Sequence, residues 1–307
     1  MIDLHLHSTC SDGTDTPEAL VALGRRAELH ALAIADHDTV AGVAPFLATC
    51  RRERIMGFSG IELSVETPSG SMHLLGYGID PDNRALALHL EQVRKGRESR
   101  NRKILLRLNE IGLPLSWEDV LAHSADGAVM GRPHFAQALM ACGRATSVQD
   151  AFDRFLSKGR PAYVERFRLE PETAIRLIRG AGGLPVVAHP FTWERSFAVL
   201  EERMTALRGC GLGGIEAYHP DHDLDQQVAC LRLAKKLGLV VTGGSDYHGS
   251  IKPRLAIGRA YGNQGISDDL LPPLLAVLPS RAGVVMECSG FSVQGAGVAL
   301  ARGGGDQ

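Results

Sequence analysis

The chain has 307 residues, 44% hydrophobic and 22% charged, with a formal net charge of −2. This is a globular balance, enough for one large domain or for one domain carrying an insertion. The near-neutral charge leaves no global basic field for long nucleic acid, and 5% aromatic content leaves no extended base-stacking platform.

Short apolar runs at residues 2–7, 31–35, 56–63, 71–77, 184–188, 214–218 and 239–242 read as strands. Helical patterns lie between them at 17–29, 171–180 and 223–237; Thr16 and Pro17 open the first as N-cap and first helical residue. Strand–helix alternation of this kind implies a parallel sheet, and about seven units suggest a closed or nearly closed α/β barrel. Residues 83–167 interrupt the rhythm with a helical, charged stretch, which sets off 1–82 and 168–278 as a discontinuous barrel. The cations from Arg94 to Arg107 crowd one long helix there. They read either as a solvated face or as part of an inserted cap over the barrel mouth. Residues 279–307 form a Gly-rich tail with no evident chemistry, and its last part is expected to be mobile.

The first strand ends His5-Leu6-His7. Side chains alternate along a strand, so both imidazoles share a face at its C-terminal end, the catalytic end of a barrel. Asp12 follows in the next loop, and Asp246 and His248 close a strand near the other end of the fold. A lone HxH is commonly a packed core pair. Two paired-ligand motifs, each just past an apolar strand, are not. His37, Glu62, His73 and His189 stand in or just after four further strands. One zinc-like ion takes three or four protein ligands, so these nine residues overfill a single site. They suit two sites, or three if Glu62 bridges. Three dications against three carboxylates leave a net charge of about +3, which attracts a phosphate dianion. His30, His89 and His123 are assigned to the surface, Cys10 to a packed thiol, and His219 and His222 to the rim of the site.

The six cysteines form no CxxC pair, which suits free thiols in a reducing cytoplasm. No basic and apolar leader opens the sequence, and no run of about 18 apolar residues occurs, so a cytoplasmic protein without membrane contact is expected. Nothing points to an obligate protein partner.

These motifs resemble the PHP (polymerase and histidinol phosphatase) family of metal-dependent phosphoesterases, from the first residues to about Arg259. The resemblance implies a distorted (β/α)7 barrel with an inserted helical domain and two or three divalent ions, manganese foremost, with iron, zinc or magnesium as alternatives. It implies that His5, His7, Glu62 and Asp246 hold one metal, Asp12, His37 and His248 a second, and Glu62, His73 and His189 a third. Asp246 and His248 are thereby expected to serve catalysis. Ser8–Thr14, Gly131-Arg132-Pro133-His134, Lys158–Tyr163 and Ile215–Pro220 are similar to the TrpH/YciV-type branch. That branch is associated with 3′,5′-nucleoside bisphosphate phosphatase activity and with trimming short RNA from its 5′ end. A bisphosphate carries a second phosphate that the metals do not grip, and Arg132 and Arg160 offer planar forks for it. His134 is a candidate to contact the scissile phosphate, to protonate the leaving group, or to cap the insertion helix. The expected chemistry is metal-assisted in-line hydrolysis by an activated water.

Three other readings stand beside this one. A histidinol-phosphate or other small monoester phosphatase shares the metal motifs. An amidohydrolase also begins with HxH, but no lysine is seen at a suitable strand end. A metal-stabilised accessory domain is opposed by the filled ligand set.

Overall fold

The computed structural model describes residues 1–67, 70–124, 130–165, 169–279 and 283–285. β1 (Ile2–Leu6), β2 (Ala31–Ile34), β3 (Met56–Phe58) and β9 (Val284–Val285) form one sheet, in that order. β4 (Gly60–Thr67), β5 (Gly70–Tyr77), β6 (Leu184–Val187), β7 (Gly214–Tyr218) and β8 (Val240–Gly243) form a second. Parallel bridges link the sheets at two seams, Leu6 with Tyr247 and His37 with Glu62. The architecture is mixed α/β, as expected.

The strands are not all parallel. β4 and β5 pair antiparallel, and so do β5 and β6. Two residues separate Thr67 from Gly70, far short of the dozen or more that a parallel crossover requires. The expected strand at 56–63 is also two strands in two sheets. The chain changes sheets at Ser59, whose N–H donates to Gly283 O (2.7 Å) and whose hydroxyl donates to Ile79 O (2.6 Å). A Cβ on Gly60 would lie 2.3 Å from Ile34 O, so only glycine can follow. Within the expected tail, 279–307, β9 pairs antiparallel with β3; residues 280–282 and 286–307 lie outside the described residues.

The first helix, α1 (Pro17–Arg26), opens as expected, with Thr16 Oγ1 accepting from Ala19 N–H at 3.2 Å. α2 (Val43–Glu53) returns the chain from β2 to β3. α3 (Arg84–Glu110) then leaves the sheets, and α4 (Trp117–Leu121), α5 (Arg132–Ala141), α6 (Val148–Ala151) and a π-helical turn at Phe152–Leu156 pack beside its second half. Ile104, Leu108, Val120, Phe135, Leu139 and Leu156 make an apolar core for this stretch. Each such side chain contributes roughly 1.5–3 kcal/mol on burial. α7 (Pro171–Gly180), α8 (Pro190–Trp193), α9 (Phe197–Gly209), α10 (Leu224–Leu237) and α11 (Leu271–Val277) complete the helices. Among the described residues no helix is long and apolar enough to cross a membrane.

The cations of the basic helix divide between solvated and buried positions. Arg94 and Arg102 are solvated and pair with Glu91 and Glu98 one turn away. Arg97 and Arg100 on the same helix are buried, and Arg97 ion-pairs with Asp38 beside β2.

Candidate metal centre and active site

All nine candidate ligands converge on one cluster, most of them from the ends of strands or the loops just after them. Glu62 is wholly buried at their centre. Its Oε2 lies 3.4 Å from His5 Nε2, 3.3 Å from His7 Nε2 and 2.9 Å from His37 Nδ1. Its Oε1 lies 2.8 Å from His73 Nδ1 and 3.0 Å from His189 Nε2. Asp246 Oδ1 sits 3.2 Å from His7 Nε2, and Asp12 Oδ1 sits 3.3 Å from His248 Nε2. A Cβ on Gly244 would lie 2.1 Å from that of His5; glycine there lets the end of β8 close on β1 and brings Asp246 to the two histidines.

Hydrogen bonds on the far sides of the rings aim the free nitrogens inward. His5 Nδ1–H donates to Glu216 Oε1 at 2.9 Å, leaving Nε2 with a lone pair. His189 Nδ1 meets Thr192 Oγ1 at 2.8 Å, and that hydroxyl donates to the His189 carbonyl, so the imidazole must be the donor. His248 Nδ1–H donates to Asp246 O at 2.8 Å, which turns Nε2 toward Asp12. Such fixed tautomers are what metal-ligating histidines need. Asp246 and His189 hold positive φ values of 49° and 28°, a backbone strain of about 1–3 kcal/mol each.

The inward atoms lack the partners that a purely structural cluster would have. His5 Nε2, both nitrogens of His7, His37 Nδ1, His73 Nδ1, Asp12 Oδ1 and Glu62 Oε2 are buried without a well-aligned hydrogen bond among the described residues. Four groups of three or four donor atoms lie mutually within 4.8 Å: His7, Asp12, His37 and His248; His5, His7 and Asp246; His5, Glu62 and His189; His37, Glu62 and His73. Lone pairs facing one another in a dry site fit divalent cations, and the overlap at Glu62 suits more than one. Burial alone would raise the Glu62 and Asp246 carboxyls, yet both are held well below the usual range, Glu62 by His37, His73 and His5 and Asp246 by Lys252 and His248. Both therefore face the site as anions.

Several contributors were not singled out from the sequence. Glu216 also accepts from the backbone N–H of His189 at 2.7 Å, so one buried carboxylate sets two candidate ligands. Asp36 accepts from Ser8 N–H, Ser8 Oγ and Ser11 Oγ at 2.6–2.7 Å and ties down the loop bearing Asp12. Glu216 stood inside a quoted motif, and Asp36 stood next to His37; neither has a spacing that marks it. No lysine was expected at a strand end, yet one reaches the site from a loop. Lys252 Nζ lies 2.5 Å from Asp246 Oδ2, reached from the loop after β8 rather than from a strand end. His219 and His222 are both buried; His219 lines a cavity beside the cluster, with Nε2 3.6 Å from Asp246 Oδ2, whereas His222 Nδ1–H donates to Ala217 O at 3.0 Å.

A small cavity of about 140 Å³ adjoins the cluster at Asp12, His37 and His73. Arg97, Arg100 and Arg132 line its other side. Arg132 donates to Leu156 O at 3.1 Å, with its guanidinium over the Phe152 and Tyr163 rings. His134 is buried, and its Nδ1 accepts from Gly131 N–H at 3.0 Å, so it caps α5 and keeps its proton on Nε2 when neutral. Burial favours that neutral form, lowering the pKa although Asp12 opposes the shift. Arg160 is exposed and is not among the residues lining this cavity.

Residues 3–158 match the PHP domain family. The chain belongs to the PHP family. A relative, the 3′,5′-nucleoside bisphosphate phosphatase of Chromobacterium violaceum, is 32% identical over 88% of this chain and 93% of its own. The 5′-3′ exoribonuclease of Haemophilus influenzae is 30% identical over 80% of this chain and 89% of its own. A crystal structure described as a metal-dependent phosphoesterase of Bifidobacterium adolescentis superposes with a TM-score of 0.81 at 33% identity, covering 90% of this chain and 95% of that one. This PHP protein is accordingly a metal-dependent phosphoester hydrolase.

Proposed function

We propose that the chain hydrolyses the 3′-phosphate of 3′,5′-nucleoside bisphosphates, giving nucleoside 5′-monophosphate and inorganic phosphate. The observation that carries this reading is the arginine-lined cavity sharing Asp12, His37 and His73 with the ligand cluster. A simple monoester needs only the cluster. A bisphosphate needs a second cationic place one nucleoside away, and planar guanidinium forks suit it.

His5, His7, Asp12, His37, Glu62, His73, His189, Asp246 and His248 would hold two or three divalent cations, with manganese the first candidate. When bound, these ions supply water activation and neutralise phosphoryl oxygens. Glu62, central among five imidazoles, would be shared between ions. Glu216 holds His5 and the His189 backbone in place. Arg132 would take the non-scissile phosphate, and His134 Nε2–H would donate to an oxygen of the phosphate being cleaved. The two bridged seams, Leu6 to Tyr247 and His37 to Glu62, support a distorted seven-unit barrel. The separate apolar core of residues 104–162 supports a helical cap spanning 83–167.

Phosphate release from a 3′,5′-bisphosphate, 3′- and 5′-monophosphates and histidinol phosphate, in Mn2+, tests this reading. One charge-assisted contact to the second phosphate is expected to favour the bisphosphate by about 10- to 150-fold in kcat/KM. Equal or faster hydrolysis of histidinol phosphate would transfer the site to a small monoester phosphatase.

A further inference from the structure

β1, β2, β6 and β8 each deliver a candidate ligand at or just past their C-terminal ends; β7, which lies between β6 and β8, delivers none. Its end is followed by His219, which is 1% exposed. His219 Nδ1 accepts from the backbone N–H of Asp221 at 3.1 Å, so the proton of the ring sits on Nε2. A second bond of the same turn, from His222 N–H to His219 O at 3.1 Å, holds the loop in place. The Nε2–H is buried and has no hydrogen-bond partner among the described residues. Asp246 Oδ2, at 3.6 Å, is too far to accept it. A buried donor left unpaired is costly. A metal does not explain it either, because His219 belongs to none of the four donor groups that fit a cation.

The ring lines a cavity of about 250 Å³ together with Glu62, His73, His189 and Asp246. This is the mouth of the cluster, where a phosphoryl group held by cations would lie. The other side-chain donors of that wall are committed: Lys252 to Asp246, and the Thr192 hydroxyl to the His189 carbonyl.

We propose that His219 is a further catalytic residue, whose Nε2–H donates to a non-bridging oxygen of the phosphate being cleaved. The proposal rests on the bisphosphate reading for its substrate and adds a contact to it. The substrate oxygen supplies the acceptor that the protein withholds. Charge is spread over these oxygens in the transition state, and a donor fixed in advance in a dry site meets it without reorganising. His134 presents its own Nε2–H by the same device, with Nδ1 accepting from the Gly131 N–H. Two imidazoles whose tautomers are set by the backbone thus hold separate oxygens of one phosphoryl group. No proton is transferred: His219 keeps its hydrogen throughout.

Two substitutions separate this role from a structural one. His219→Asn puts Oδ1 near the place of Nδ1, so Asp221 keeps its acceptor while the donor at Nε2 is lost. His219→Gln puts an amide N–H near the place of Nε2, so the donor stays and the acceptor is lost. Each variant and the wild type are assayed in saturating Mn2+ on a 3′,5′-bisphosphate and on a nucleoside 3′-monophosphate, with bound metal measured alongside. The expected result for His219→Asn is a loss of about 10- to 150-fold in kcat/KM on both substrates, with metal content unchanged. His219→Gln is expected to keep most of the wild-type rate. Losses in Gln that equal or exceed those in Asn would overturn the proposal and assign the ring to the turn. Loss of bound metal in both variants would overturn it by making His219 a ligand, and unchanged rates in both would reduce it to packing. A loss confined to the bisphosphate would overturn it by moving the contact to the other phosphate. A wild type that does not prefer the bisphosphate would remove the bisphosphate reading, while the Asn and Gln pattern on the monophosphate would still support His219.

Discussion

His5 donates its Nδ1–H to Glu216 Oε1 at 2.9 Å, and neither side chain is exposed to solvent. The pair crosses from β1 to β7, and Glu216 reaches on to the His189 backbone. The carboxylate therefore sets the direction of two candidate ligands. Glu216→Gln keeps the shape but removes the anionic acceptor. A 10- to 100-fold loss of metal affinity is expected, typical for partners of ligating histidines. Metal content after dialysis at a series of free Mn2+ concentrations measures it. Unchanged affinity would reduce Glu216 to a packing residue.

Asp246 faces His7, His219 and Lys252 at once. Asp246→Asn removes an anion from among these cationic or metal-facing groups at nearly constant volume. Turnover is expected to fall by at least about two orders of magnitude, at the upper end of effects around metal ligands. Parallel kcat and metal-content measurements distinguish a lost ion from a misplaced one. Near-normal kcat with full metal content would take Asp246 off the catalytic list.

Arg132 is held over two aromatic rings at the wall of the small cavity, whereas Arg160 is exposed. Arg132→Ala is expected to lower kcat/KM for a 3′,5′-bisphosphate by about 10- to 150-fold and to leave a simple monophosphate almost unaffected. Arg160→Ala is the comparison and is expected to change neither rate. Equal losses on both substrates for Arg132→Ala would assign that arginine to the cleaved phosphate or to the fold.

His7 gives a pH prediction with opposite signs in two states. Burial disfavours its charge, but the Asp246 and Glu62 carboxylates raise its pKa to about 9. In metal-free protein the raised value means stability that is present in full below the unfolded value of about 6.5 and is lost as pH rises through about 9. A cation must displace the same proton, so metal affinity rises over the same interval. The gain in Tm from Mn2+ over EDTA is expected to widen from pH 6.5 to 9. A gain that stays constant or narrows would show that His7 carries no proton for the metal to displace.

The sequence by itself pointed to the nine candidate ligands that the fold brings together, because residues in and just after strands follow local rules. His5-x-His7 must share a face through strand alternation, and Asp246 and His248 follow an apolar run in the same manner. The mixed α/β class was legible for the same reason, as it rests on period and composition. What only the tertiary structure decided depends on through-space closure. The 56–63 run parts at Ser59 because that residue bonds Ile79 and Gly283, which are remote in sequence. β4 and β5 turn antiparallel through a connection too short to cross over. Glu216, Asp36 and Lys252 carry no motif of their own; each acquires its role when His5, Ser8 or Asp246 is brought within 3 Å of it. The arginine-lined chamber likewise exists only once α3 and α5 have packed over the strand ends, since burial of Arg97 and exposure of Arg94 on one helix differ by what each side chain meets.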